Sequence, residues 1–155
     1  MYEELYHHGV KGQQWGERNG PPYPLDSKGS SLRKQKRIYK KMNKKLNALE
    51  KSKKSLDEKI EKKAEKIGAS DSDVKVYKKY FNLSYEVMKK SLEDAYTLEM
   101  KSVNDATIKK GEEYINSASL RKIDSSAYMY MLYKTAEPYA KNEISNNLYE
   151  KYYKE

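Results

Sequence analysis

The apolar residues between positions 38 and 67 recur at alternating steps of four and three, and this spacing restricts the fold more than any other feature. The heptad positions are occupied by Met42, Leu46, Leu49, Lys53, Leu56, Ile60, Lys63 and Ile67. Such a repeat is typical of a helix that packs along one stripe against a neighbouring helix. No glycine or proline interrupts residues 31–67, so the pattern predicts one helix about 55 Å long. A helix of this kind needs a partner to cover its stripe.

A second amphipathic helix follows a short polar connection. Gly68 suits the position just after a helix, and the serines and aspartates at 70–73 are candidate N-caps for the next one. The predicted stripe of this second helix contains Val74, Tyr77, Phe81, Tyr85, Met88, Leu92, Ala95 or Tyr96, and Val103. We expect the helix to cover 72–104, or to continue across Gly111 to 117. Two long helices joined by a short connection predict an antiparallel hairpin.

The last third of the chain predicts one or two further helices within residues 125–153. Tyr128, Met131, Leu132 and Thr135 or Ala136 recur at helical spacing, and Pro138 then kinks the chain or starts a new helix. The predicted fold is therefore all-α, a long antiparallel helical hairpin with one or two C-terminal helices packed against it. This elongated three-helix bundle is expected to form a helical domain over residues 31–155.

The composition favours a thin core and excludes cysteine chemistry. Hydrophobic residues make up 37% of the chain and charged residues 35%, and there are sixteen tyrosines but one phenylalanine. A tyrosine ring can be buried, but its hydroxyl needs water or a partner. The sequence contains no cysteine, which excludes disulfides, thiolate catalysis and zinc sites built on cysteine. Neither a signal peptide nor a membrane-spanning segment is expected from the hydropathy pattern.

The positive charge is concentrated in one segment. The chain has a net charge of +9, whereas residues 28–66 alone carry sixteen basic and five acidic residues, a net charge of +11. Eight basic residues and no acidic residue lie between positions 33 and 45. Candidate contacts to phosphate or to an acidic partner are Arg33, Lys34, Arg37, Lys40, Lys41, Lys44 and Lys45. Two interpretations stay open: a surface that follows a nucleic-acid backbone, with Tyr39 as a stacking group, or a solvated helix face.

Tyrosines are also concentrated near the C-terminus, at positions 128, 130, 133, 139, 149, 152 and 153. They are too many for one small core, so we expect some of them to be exposed. Exposed tyrosines are frequent at protein interfaces. Filling an amphipathic core that is poor in phenylalanine and leucine is the alternative explanation.

Residues 1–30 are predicted to form an irregular N-terminal arm. Glycines and prolines in this segment oppose a long helix or a central strand, and the sequence around Pro21, Pro22 and Pro24 favours an extended chain. His7 and His8 are adjacent, so both rings cannot face one side of a helix, and no cysteine supplies further metal ligands. No nucleophile elbow, P-loop or zinc-protease motif occurs. We therefore expect no catalytic site, no metal and no cofactor.

The N-terminal stretch HHGVKGQQWGERNGPPYPL, residues 7–25, resembles a short segment of phage and prophage proteins from Firmicutes. The segment often occurs at the end of, or beside, head-morphogenesis and other virion-associated proteins. Glu17 replaces an apolar residue that is usual in the segment. We interpret the stretch as a partner-binding motif with the tryptophan as its anchor. Its candidate contact residues are His7, His8, Gly9, Gly12, Trp15, Gly16, Arg18, Pro21, Pro22, Tyr23 and Pro24.

Three functional hypotheses follow from these features. The first is a non-enzymatic phage structural or morphogenesis accessory that acts through contacts with phage or host proteins. The second is a phage-encoded anti-defence effector, for example an anti-CRISPR inhibitor of a host nuclease or nucleic-acid complex. The third is a protein that binds nucleic acid without sequence specificity through residues 33–45. The resemblance implies a location in the host bacterial cytoplasm or in the virion, and the hydropathy pattern predicts no membrane partner.

Overall fold

The computed structural model describes the backbone of residues 24–153 and the side chains of residues 30–144. The elements in order are α1 (Pro24–Ile67), α2 (Asp71–Ser102), a first 3₁₀ helix (Ala106–Lys110), α3 (Glu112–Lys122), a second 3₁₀ helix (Ser125–Ala127) and α4 (Tyr128–Tyr153). No strand occurs in these residues, which confirms the all-α prediction. Within the predicted range 125–153 there is one α-helix, α4, the smaller of the two numbers expected. The helix α3 lies before this range, where the sequence predicts no separate helix.

The hairpin between α1 and α2 is closed by a tight, fully bonded turn. Gly68 has a φ of +65°, in the left-handed region that glycine adopts at little cost. The Ala69 amide donates to the Ala64 carbonyl at 2.9 Å, and the Gly68 amide donates to the Glu65 carbonyl at 3.4 Å. This pair of bonds is the Schellman motif. The Ser70 hydroxyl then accepts from the Asp73 amide and caps the N-terminus of α2.

The core lies where α1, α2 and α4 meet. Leu49 of α1, Phe81 of α2 and Tyr128 and Leu132 of α4 have no exposed surface. Gln35 near the start of α1 donates to the Met100 carbonyl near the end of α2, so the two helices are antiparallel. Side chains of α4 at four-residue steps enter the groove between them: Tyr128, Leu132, Ala136 and Ala140. The heptad pattern thus identified the buried face of α1 correctly. Its last apolar residue, Ile67, is exposed because α1 ends there.

Lys53 occupies a heptad position and stays in the seam, because neighbouring groups stabilise its positive charge. Its Nζ lies 3.1 Å from Asp57 Oδ2 and 5.6 Å from the centre of the Tyr85 ring on α2. The ion pair and the ring face both stabilise a cation at this depth, and its aliphatic stem can pack against the seam. Lys63, the other polar heptad position, is exposed.

The structure corrects the predicted start of the first helix and decides between the two predicted ends of the second. The first helix begins at Pro24, not near 31, because proline is well suited to the first turn of a helix, where its missing N–H costs no hydrogen bond. The second helix ends at Ser102, within two residues of the shorter predicted range, 72–104, and does not continue to 117. The Asp105 carboxylate accepts from the Thr107 amide and hydroxyl, a local turn that competes with further helix.

Pro138 neither breaks α4 nor starts a new helix. The helix runs from Tyr128 to Tyr153 with the proline inside it. Pro138 lies on the exposed side, where water can hydrate the Lys134 carbonyl that a proline leaves without an amide donor. The buried side of the helix keeps its packing against α1 and α2.

The position of Leu49 at the centre of the seam can be tested by truncation. Leu49→Ala should lower the free energy of unfolding by about 3 kcal/mol, because it leaves a cavity among three helices. Leu32→Ala is the matched control, since Leu32 is 58% exposed, and it should change stability by less than about 0.5 kcal/mol. Denaturant unfolding followed by far-UV circular dichroism measures both. Equal losses for the two variants would contradict the assigned inner face of α1.

Candidate interaction surfaces

The candidate partner-binding motif lies almost wholly outside the described residues. Of its members only Pro24 is described, as the first residue of α1. The prediction of an irregular arm over 1–30 is therefore corrected for residues 24–30, which are helical. The functional role of the motif stays a prediction.

Four of the predicted basic residues form a row along the outer side of α1. The row contains Arg33, Arg37, Lys40 and Lys44, and all four side chains are exposed. Their three- and four-residue spacing places them on one helix face, and the buried residues Ile38 and Leu49 lie on the opposite one. We call these four residues the basic row. None of the ion pairs between described side chains involves them.

The other three predicted contacts lie beside the row and are not equivalent. Lys34 and Lys41 are exposed. Lys45 is half-buried, donates to the Ile123 carbonyl, and lies 6.0 Å from the centre of the Tyr128 ring. Its ammonium group therefore links α1 to the connection between α3 and α4. Lys45 is for this reason not part of the exposed surface that the neighbouring basic residues form.

A cleft of about 330 Å³ separates α1 from α3. In the part of the chain that the structure describes, α3 packs on α2 and the first 3₁₀ helix but not on α1. The cleft is lined by Lys41, Tyr96, Glu99, Tyr114, Ala118, Arg121 and Lys122. Sequence patterns did not indicate this site, because its residues come from three helices whose relative placement depends on the turn at 103–111.

Arg121 organises this α1–α3 cleft. Its Nη1 lies 3.2 Å from Glu99 Oε2, and its guanidinium carbon lies 4.5 Å from the centre of the Tyr114 ring. The Nε–H is buried and has no hydrogen-bond partner among the described residues. Because Glu99 is paired with Arg121, Lys41 and Lys122 give the cleft an excess of positive charge.

The tyrosines divide between the core and the surface, as expected. Tyr128 is fully buried, whereas Tyr130 and Tyr139 are 64% and 63% exposed. Tyr133 is half-buried and donates to Glu137 Oε1 at 3.0 Å. The three tyrosines beyond position 144 lie outside the residues with described side chains.

An apolar strip runs along the junction of α2 and α4. Leu83 and Val87 of α2 are 53% and 66% exposed, and they face Tyr139 of α4. The rings of Tyr80 and Tyr139 stack with their centres 5.9 Å apart. We define the apolar strip as Leu83, Val87 and Tyr139, which border a groove of about 380 Å³. Contiguous exposed apolar surface is typical of interaction sites.

Titratable groups give no indication of a catalytic centre in the described region. Burial raises the pKa of Tyr128 to about 12, but its hydroxyl lies in the core without a hydrogen-bond partner there. A hydrogen bond from Lys141 lowers the pKa of Glu137, an arrangement typical of surface ion pairs. Among the described residues, no three potential ligand side chains could hold a metal ion together, and no helix has the length and hydropathy needed to cross a membrane.

Comparisons with known proteins give no relative. The chain matches no protein-family model, no curated protein and no solved structure. Function is therefore inferred from the surfaces of the helical bundle.

The buried Tyr128 hydroxyl generates a prediction about alkaline stability. An unfolded tyrosine ionises near pH 10, whereas Tyr128 in the folded chain keeps its proton to about pH 12, so folding loses stability as the pH rises through this interval. Tyr128→Phe should reduce that loss and leave stability at neutral pH unchanged or higher, because it removes an unpaired buried hydroxyl. Urea unfolding at a series of pH values measures the effect.

Tyr133→Phe is the matched control for this substitution. It should lower stability at neutral pH by about 1 kcal/mol, because it deletes a hydrogen bond to Glu137. A marked destabilisation of Tyr128→Phe at neutral pH would show that the Tyr128 hydroxyl has a partner and would refute the assignment.

Proposed function

We propose that this chain is a non-enzymatic accessory protein of phage origin that acts in virion structure or assembly by binding other proteins. The observation that carries the proposal is the apolar strip on α2 and α4. Leu83, Val87 and Tyr139 each expose more than half of their surface in a chain whose hydrophobic content is only 37%. Large apolar side chains are thus exposed to solvent together on one surface, although hydrophobic residues are scarce in this chain.

The shape of the strip fits a helical partner. It borders a groove between two packed helices, and an amphipathic helix can lay its apolar face into a groove of this type. Leu83 and Val87 are one helical turn apart and would contact successive apolar residues of the partner. Tyr139 adds a ring with a polar hydroxyl, the kind of side chain that frequently dominates binding energy at interfaces.

The phage assignment is supported by the resemblance of residues 7–25 to segments that accompany virion-associated proteins. A peptide rich in glycine and proline with one tryptophan can dock in an extended form at low entropic cost. The motif and the apolar strip would then give the protein two separate contacts with an assembly, which increases overall affinity when both are engaged.

The location of the chain during infection tests the biological part of this proposal. Virions and assembly intermediates purified from a phage that encodes the chain should contain it in a fixed ratio to a structural protein, as measured by quantitative mass spectrometry. Recovery with host defence proteins alone, and absence from every assembly intermediate, would instead support the anti-defence alternative and overturn the proposal.

The role of the apolar strip is tested by charge insertion. The double variant Leu83→Glu and Val87→Glu should reduce co-purification with the assembly partner at least tenfold, because two carboxylates would be desolvated in the groove. The double variant Asn82→Glu and Asn47→Glu changes the charge equally at exposed positions outside the groove and should bind normally. Circular dichroism confirms that both variants fold. Equal binding by both variants would exclude the strip as the docking site.

A further inference from the structure

We propose that α1 and α3 together form a surface that binds the phosphate backbone of nucleic acid without reading its sequence. This function goes beyond the docking role proposed above and uses a different side of the bundle. The residues proposed to bind phosphate are the basic row of α1 and the cations of the positively charged α1–α3 cleft beside it.

The basic row is available for binding because the fold does not use it. Arg33, Arg37, Lys40 and Lys44 are exposed, and folding is carried by the opposite face of the same helix, where Ile38 and Leu49 are buried. No acidic residue lies between positions 33 and 45, so neighbouring side chains on α1 do not neutralise the row. Holding four like charges together lowers stability slightly, and this cost is offset when a polyanion binds.

The geometry of the row matches a polymer of regularly spaced negative charges. Arg33 and Lys44 are eleven positions apart, which corresponds to about 17 Å of helix, and about one cation occurs per turn. Phosphates repeat along a nucleic-acid strand at a comparable interval of several ångströms. A helix with about one cation per turn can therefore contact several successive phosphates.

The α1–α3 cleft extends this surface sideways. Lys41 lies on α1 next to the row, and Lys122 of α3 lies on the other side of the cleft. Arg121 is held by Glu99 and by the Tyr114 ring, so its charge is fixed in place rather than mobile. A backbone that follows the basic row would meet these cations as it crosses from α1 to α3.

Charge and composition favour a nucleic acid over an acidic protein as the ligand. A protein interface needs apolar anchors at its centre, and the basic row contains none. The large apolar side chains exposed on this half of α1, Leu32 and Tyr39, lie on a flank of the helix away from the row. The row consists of two arginines and two lysines. Lysine contacts phosphate as a point charge, and two arginines offer few bidentate base contacts, so sequence-independent binding is expected.

The first test is the salt dependence of binding to a short DNA duplex of arbitrary sequence, measured by fluorescence anisotropy with the full chain. If four phosphates are neutralised, the logarithmic slope should be about −3.6, so affinity should fall about 150-fold between 50 and 200 mM salt. Failure to bind at the lower salt concentration would overturn the proposal. Stronger binding to poly-glutamate than to DNA would also overturn it, in favour of an acidic protein partner.

The second test distinguishes the basic row from net charge alone. Reversal of the row, Arg33→Glu, Arg37→Glu, Lys40→Glu and Lys44→Glu, should weaken DNA binding at least a hundredfold and make the salt slope much shallower. The matched control reverses four exposed lysines at the other end of α1, Lys59→Glu, Lys62→Glu, Lys63→Glu and Lys66→Glu. It changes the net charge equally and should weaken binding less than fivefold.

Equal weakening by the two sets would show that binding follows net charge and would refute a defined surface. If the reversed row does not fold, glutamine at the same four positions removes the charges without adding acidic groups, and the same loss of affinity is expected. The pair Lys41→Glu and Lys122→Glu should weaken binding about tenfold if the cleft takes part. Unchanged affinity for this pair would contradict the contribution assigned to α3.

Discussion

The packing of one narrow face of α1 against α2 and α4 is the contact on which the rest of the structure depends. Leu49, Phe81, Tyr128 and Leu132 meet there without exposed surface. In a chain with so few apolar residues, burial along this seam is the main favourable term in folding. Because the inner face of α1 packs in the seam, its outer face is exposed to solvent.

The seam also explains why the surface has an apolar strip on one side and a basic row on another. A thin core leaves no room for every apolar side chain, and Leu83, Val87 and Tyr139 remain outside at the junction of α2 and α4. The four residues of the basic row lie on the side of α1 away from the core, where their charges remain hydrated. The two surfaces lie on different helices, so the proposed protein partner and the proposed polyanion would contact different residues.

Periodicity predicted the parts of the fold in which local sequence and packing agree. The heptad spacing identified the inner face of α1, Gly68 identified the turn, and the stripe on α2 identified Phe81 and Leu92, both buried. It did not predict the start of α1 at Pro24. Proline breaks a helix when it lies in the interior and is favourable when it lies in the first turn, and the local pattern does not show which case applies. The Arg121–Glu99–Tyr114 cluster and the structural role of Lys45 depend on long-range contacts, for which no local pattern exists.

The antiparallel hairpin is the central claim, and a distance between its two ends tests it most directly. The chain has no cysteine, so Lys36→Cys and Lys101→Cys allow two spin labels at exposed positions, diluted with unlabelled chain and measured by pulsed electron paramagnetic resonance. Since Gln35 contacts Met100 and packed helices lie about 10 Å apart, the labels should be within about 30 Å of each other. A continuous helix would place them roughly 100 Å apart, and a distance approaching that value would contradict the hairpin.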